Sequence, residues 1–241
     1  VKRIVAIAVG TAGLLYAGIS VSWAGSIQGT VTLQGGAPPP RKIPVTIDQY
    51  VCGDAKIAED LQVSARGGVR NVVAWIEKPP GGTTSSTKGV PPAEAATGAA
   101  EMDQKECAFT PRIVLVPAGG TVNFLNSDRL LHNLHARPKL NSPFNRTQPK
   151  GRTISISFPQ PEIFRVDCDL HSWMRSWVVV TEHPFYALSD AEGRFTLDNL
   201  PAGKYMLRLW HETLGTASRE VTVPATGAAQ TTIEMARPPS R

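Results

Sequence analysis

The sequence predicts an all-β fold, a β-sandwich followed by a smaller β module, and three observations carry that prediction. Helical periodicity is nearly absent once the first apolar stretch is passed. Twenty prolines and twenty-one glycines cut the chain into short pieces, which suits strands and turns better than helices. Between these breaks recur SIQGTVTL, IPVTI, VRNVVAWIE, RIVLVPA, TVNFLN, TISISF, IFRVD, WVVVTE, RFTLDNL, KYMLRLW and REVTV. Many alternate or are rich in β-branched and aromatic residues, the pattern of short strands in a sandwich. With 241 residues, 41% of them apolar, the chain has material for a real core.

From the N-terminus, Lys2 and Arg3 precede an apolar run from Ile4 to Val21, and Ser22-Trp23-Ala24 follows. A basic start, an apolar centre and small residues around a cleavage point read as a secretory signal over 1–24, with the mature protein beginning near Gly25. A retained anchor is the competing reading, because about 18 apolar residues just span a bilayer. Export implies a periplasmic or secreted protein in an oxidising compartment, with no membrane association after cleavage. Without Lys2 and Arg3 the formal charge falls from +5 by two, to +3, too weak and too dispersed for a nucleic-acid partner. Only the stretch Arg137 to Lys150 is densely basic; it reads as a solvated loop or as a docking patch for an acidic partner.

Residues 78–106 are rich in Pro, Gly, Ser, Thr and Ala without an apolar period. Such a segment buries too little to offset its ordering entropy and is expected to be a flexible insertion. It interrupts a first domain spanning 25–182. A seam near Glu182-His183-Pro184, where the strand and turn pattern restarts, opens a second module over 183–237.

Chemistry concentrates in CDLHSWM, which places Cys168, His171 and Met174 within one short loop. Taken singly, each is ordinary: a small buried thiol, a hydrogen-bonded histidine, a thioether filling a gap. Together they are the donors that select copper, since sulfur suits Cu(I) and imidazole serves both oxidation states; two His and one Cys with a distant Met make an electron-transfer site. One imidazole is missing from the loop. NFLNSDRLLHNLHA offers it as His132, after a polar turn at Asn126-Ser127-Asp128; His135 is a rival ligand. The cysteine count agrees. Export favours paired thiols, and the chain has three, Cys52, Cys107 and Cys168; if Cys168 binds metal, Cys52 and Cys107 remain to form a disulfide.

NSDRLLHN paired with CDLHSWM resembles the cupredoxins, the blue-copper proteins, and the C-x2-H-x2-M loop looks most like the short ligand loop of amicyanins. The resemblance implies a Greek-key β-sandwich with His132, Cys168 and His171 as equatorial ligands and Met174 axial. It also implies that Asn133 ties the two ligand-bearing loops by hydrogen bonds, and that the His171 edge is exposed as the route for electrons. The loop lacks the proline of many amicyanin-type loops. More widely, SIQGTVTL, CAFTPRIVLVPAGGTV, HNLHA and WVVVTEHPFYALSDAEGRFTL are similar to secreted methylamine-utilisation-type proteins.

YALSDAEGRFTLDNLPAGKYMLRLWHE alternates strand pairs around Gly-containing turns and resembles the carboxypeptidase regulatory-like, transthyretin-like β module, a non-catalytic unit. Its alternating Phe195, Leu197, Tyr205, Leu207 and Leu209 are explained by folding alone. His183 and His211 offer donors for a second metal or a place near the copper edge, but beside aromatic and proline residues they read as structural, and Glu212, adjacent to His211, points to the opposite strand face. Trp173 and Trp177 are expected to shield the copper or to form part of a docking surface. The expected function is a copper-dependent electron carrier, not an enzyme, serving a redox partner of cytochrome or dehydrogenase type. The alternatives are copper storage, sensing or delivery, and a structural or interaction β-protein with a degenerate site. Five histidines in all barely permit the extra centres of a copper oxidase, and nothing evident supplies the oxyanion stabilisation a Cys168 nucleophile needs.

Overall fold

The computed structural model describes residues 25–79 and 99–239. The expected signal segment 1–24 and residues 80–98 of the expected insertion lie outside the described residues. Ahead of the insertion come β1 (Gly25–Leu33), β2 (Lys42–Pro44), a single helical turn α1 (Gln49–Cys52), β3 (Ala55–Ile57) and β4 (Val73–Ile76). After it come β5 (Ala100–Lys105), β6 (Ala108–Thr110), β7 (Ile113–Pro117), β8 (Thr121–Asn126), β9 (His132–Ala136), β10 (Phe144–Gln148) and β11 (Ile154–Ser157). The chain continues through β12 (Glu162–Asp167), β13 (Arg175–Thr181), β14 (Tyr186–Leu188), β15 (Arg194–Leu200), β16 (Gly203–His211), β17 (Gly215–Val223) and β18 (Gly227–Met235). Among the described residues no helix is long and apolar enough to cross a membrane.

Two sheets, in the orders β10-β9-β12-β13-β7 and β11-β8-β5-β6, close face to face on one core. Alternation explains the closure: β8, TVNFLN, turns Val122, Phe124 and Asn126 inward and leaves the residues between them half-buried. From the opposing sheet Leu134, Phe164, Val166, Val178 and Val180 complete that core. A second core lies between sheets ordered β15-β1-β18 and β14-β4-β16-β17, with Ile27, Val31, Phe195, Leu207 and Leu209 at its centre. β13 is buried on both faces. Val178 and Val180 enter the first core, while Val179 joins Val73, Ile113 and the aromatic rings of Trp75, Trp177 and Trp210 between the two sandwiches. A strand covered on both sides reads as a continuous apolar run, and WVVV is that run.

Three expectations change. The second module does not stand on 183–237 alone: β1 runs parallel to β18 from Gly25↔Gly227 to Leu33↔Met235, and β4 pairs with β14 and β16. Strand pairing at such distance leaves no local mark in a sequence. The insertion also ends earlier than expected, since β5 lies within 78–106, pairs parallel with β8 and buries Met102 and Gln104 completely. The basic stretch 137–150 contains β10, an edge strand paired with β9, rather than a plain loop.

His211 closes β16 and is buried, its Nδ1 accepting the N–H groups of Thr213 and Leu214 at 3.2 and 3.3 Å. Burial above all pushes its pKa down to about 4. An unfolded chain takes up this proton near pH 6.5 and the folded one does not. Stability is therefore unaffected above about pH 6.5 and falls as the pH drops toward 4, by about 3 kcal/mol at the most from this residue. Denaturant midpoints at pH 7 and 4.5 should show the loss, and His211→Asn, whose carbonyl can accept the same N–H groups, should flatten it.

Candidate metal centre

Cys168–Met174 joins β12 to β13, whose ladder ends at Asp167↔Arg175. Two backbone hydrogen bonds close the loop, Cys168 N–H to the Met174 carbonyl at 3.2 Å and Met174 N–H to the His171 carbonyl at 2.8 Å. Cys168, His171 and Met174 are thereby turned inward, none more than 2% exposed. At the loop's far end Arg112 Nη1 donates to the Arg175 carbonyl and Ser176 Oγ to that of Arg112, so β13 starts from a fixed place.

His132 begins β9 and is fully buried. The polar turn ahead of it is held by an interior amide network. Gln104 donates to Gln148 Oε1 and the Leu125 carbonyl, Gln148 to the Phe124 carbonyl, and Asn126 to the carbonyls of Leu130 and Gln148. Asn133 then ties strand to loop: its Oδ1 accepts the Asp169 N–H at 2.6 Å and its Nδ2 donates to Asp169 and Asn145.

The result is a convergence of three donors. His132 Nδ1 and His171 Nδ1 stand 2.9 Å apart, and Cys168 Sγ lies 3.9 and 3.7 Å from them. With bonds of about 2.0–2.1 Å to nitrogen and 2.3 Å to sulfur, as for zinc, donors at trigonal corners stand roughly 3.5–3.8 Å apart. Both sulfur–nitrogen separations fit a shared ion, and the two nitrogens stand closer than that.

Each ring's other nitrogen is already committed. Asp128 Oδ2 sits 2.8 Å from His132 Nε2 and Asp48 Oδ2 3.0 Å from His171 Nε2. A carboxylate accepts only, so each Nε2 carries the proton and each Nδ1 presents a lone pair. Two neutral rings so held face lone pair to lone pair at 2.9 Å and repel unless a cation, either a proton shared in a hydrogen bond or a metal ion, lies between them. Burial pushes the Cys168 thiol up, against the backbone N–H groups of Asn133, His171 and Leu170, which favour the thiolate. Burial likewise pushes His132 down, against the raising effect of Asp128, and so favours the neutral ring. Metal binding must then displace the thiol proton.

Cys52 and Cys107 are disulfide-bonded, with Cα atoms 5.4 Å apart, and Cys168 is the free thiol. Closing a separation of 55 residues stabilises the fold by about 4 kcal/mol on the chain-entropy account. Cys107 also lies within 4.8 Å of Asp128 and His132, but its sulfur is spent in the disulfide and is no thiolate ligand.

Several expectations about the neighbourhood are corrected. His135 is not a rival: three residues is an odd offset on a strand, so it faces away from His132, and its Nδ1 pairs with Asp169 at 2.8 Å. The His171 edge is not exposed; the ring is 1% accessible and capped by Asp48. Trp173 does stand against His171, ring centroids 5.3 Å apart, and donates to the Cys107 carbonyl. Trp177 does not; it packs on Trp210 and donates to Glu212. His183 and His211 lie outside the cluster, His183 accepting the Phe185 N–H and His211 those of Thr213 and Leu214. The two carboxylates were not anticipated, although Asp128 sits four residues before His132 and could have been suspected from that spacing.

No protein-family model matches the chain, and no curated protein matches it. Among solved structures it is similar to a Cu-containing nitrite reductase from Thermus scotoductus SA-01, at 22% identity and TM-score 0.34. That match covers 35% of this chain and 23% of the reductase. It is similar to a purple cupredoxin from Nitrosopumilus maritimus, at 20% identity and TM-score 0.30, over 34% of this chain and 99% of that one. A mutant amicyanin in its reduced state matches at 25% identity and TM-score 0.33, over 41% of this chain and 97% of that one.

Proposed function

We propose that the protein is an extracytoplasmic type 1 copper protein that carries single electrons, holding copper with His132, Cys168, His171 and Met174. The observation that supports it is the inward convergence of one thiol and two imidazole Nδ1 atoms whose Nε2 atoms are both tied to carboxylates. Copper held there supplies a one-electron couple between Cu(I) and Cu(II). The chain's own part is to keep the donors in one arrangement and exclude water, so that little reorganises when charge changes. Burial of all four donors at 2% exposure or less favours carriage over storage or delivery, which need exchange. The second sandwich acts as a non-catalytic module of carboxypeptidase regulatory-like type.

The redox partner, of cytochrome or dehydrogenase type, approaches through a cleft of about 690 Å³ lined by Trp173, Met174, Cys107, Lys56, Lys105 and Arg112. Copper-loaded protein should show an intense visible thiolate-to-copper absorption, and Cys168→Ser should abolish it. Copper bound without that band, or a band surviving in the variant, would end the reading. Loss of metal to a Cu(I) chelator within minutes would favour delivery instead.

A further inference from the structure

Asp48 reaches His171 from 123 positions away in sequence, and the segment that carries it is built to hold it there. β2 and β3 pair antiparallel, Lys42↔Ile57 to Pro44↔Ala55, and close residues 45–54 into a strap. Val45, 1% exposed, roots the strap in the first core. Asp48 adopts left-handed backbone angles, φ 55° and ψ 33°, which aspartate tolerates better than most residues. Its carbonyl accepts the N–H groups of Val51 and Cys52 to start the single turn of α1. Cys52 then fastens the turn to Cys107. The strap is thus rooted on one side and bolted on the other, with the Asp48 carboxylate between.

We propose that Asp48 is a positioning residue of the metal centre: it holds the His171 proton on Nε2, so that Nδ1 faces the copper, and with the strap it forms the cover past which metal exchanges. The proposal rests on the copper reading in everything but the placement of the His171 proton on Nε2. Its side chain is 28% exposed while His171 is 1% exposed, so on this side the carboxylate is the boundary between solvent and ligand. A carboxylate accepting the outer N–H of a ligand imidazole makes that ligand more basic, and losing such a partner typically costs about 10–100-fold in metal affinity. The negative charge also favours the more positive Cu(II).

The test compares Asp48→Asn with wild type, with Asp54→Asn, an exposed position on the same strap, as control. Imidazole 15N shifts of the metal-free proteins at neutral pH should place the His171 proton on Nε2 in wild type, and Asp48→Asn should mix or reverse the tautomers. In copper-loaded protein the variant should keep the thiolate-to-copper band, lose metal to a Cu(I) chelator at least tenfold faster, and favour Cu(I) about tenfold more, a shift of about 59 mV for one electron. Asp54→Asn should match wild type. A wild-type proton on Nδ1, or an Asp48→Asn variant equal to wild type in both tautomer and exchange rate, would overturn the proposal. Absence of the band in wild type would instead defeat the copper reading, and the tautomer measurement would still decide the role of Asp48.

Discussion

Replacing Glu212 by alanine is expected to cost about 3–5 kcal/mol of stability, the cost of leaving a buried charge without its partner. Glu212 takes both Arg112 Nε and Nη2 at 2.7 Å, in the fork geometry that makes arginine–carboxylate pairs strong, and accepts Trp177 Nε1 at 3.0 Å as well. The side chains are only 9% and 6% exposed, so water cannot replace the lost carboxylate. Arg112 belongs to the first sandwich and Glu212 follows β16 of the second, which makes the pair a bolt between them. The same guanidinium donates to the Arg175 carbonyl where the ligand loop rejoins β13, so the variant should also broaden the copper absorption. A double change, Arg112→Met with Glu212→Leu, removes both charges and should cost less than Glu212→Ala alone. Denaturant unfolding of the single and double variants checks the order; a double variant less stable than the single one would show that packing rather than charge holds this joint.

Local chemistry was legible in the sequence where it depends on neighbours along the chain. Cys168, His171 and Met174 share a loop whose length alone brings them together, and alternation in TVNFLN gave the strand that delivers the His132 turn. Cysteine arithmetic gave Cys52 and Cys107 by default once Cys168 was set aside. What stayed hidden depends on long-range pairing. β1 and β18 are joined from opposite ends of the described chain, and no periodicity in SIQGTVTL names its partner. β5 was lost because AEMDQK looks polar; its inward Met102 packs in the first core and its Gln104 Nε2 donates into a buried amide network that only the folded chain shows. Asp48 was hidden for the same reason, and with it the burial of His171. A resemblance of loop motifs pointed to His132, Cys168 and His171, which the fold brings together, but not to what covers them, because the strap lies outside those motifs.

Asp128→Asn is expected to damage fold and centre together, and so to differ from Asp48→Asn, which should touch the centre alone. Lys105↔Ala108 closes the β5–β6 hairpin with Glu106 and Cys107 as its two central residues, both at positive φ, 53° and 54°. Turns of this kind favour Asn, Asp or Gly at those positions, and here the Asp128 carboxylate supports the exception by accepting the N–H of Glu106 at 2.6 Å and of Cys107 at 2.8 Å. Its Oδ2 also takes the His132 Nε2 proton. An amide keeps one acceptor oxygen and turns an NH2 group toward donors, so at least one buried N–H loses its partner. At roughly 1–3 kcal/mol for each such group, the unfolding free energy should fall by about 2–4 kcal/mol, and copper should bind about 10–100-fold more weakly through the loosened His132. Chelator competition and denaturant unfolding on the same samples separate the two effects. Weaker copper binding at an unchanged unfolding midpoint would mean that the hairpin holds its left-handed turn without Asp128, and that the carboxylate serves His132 only.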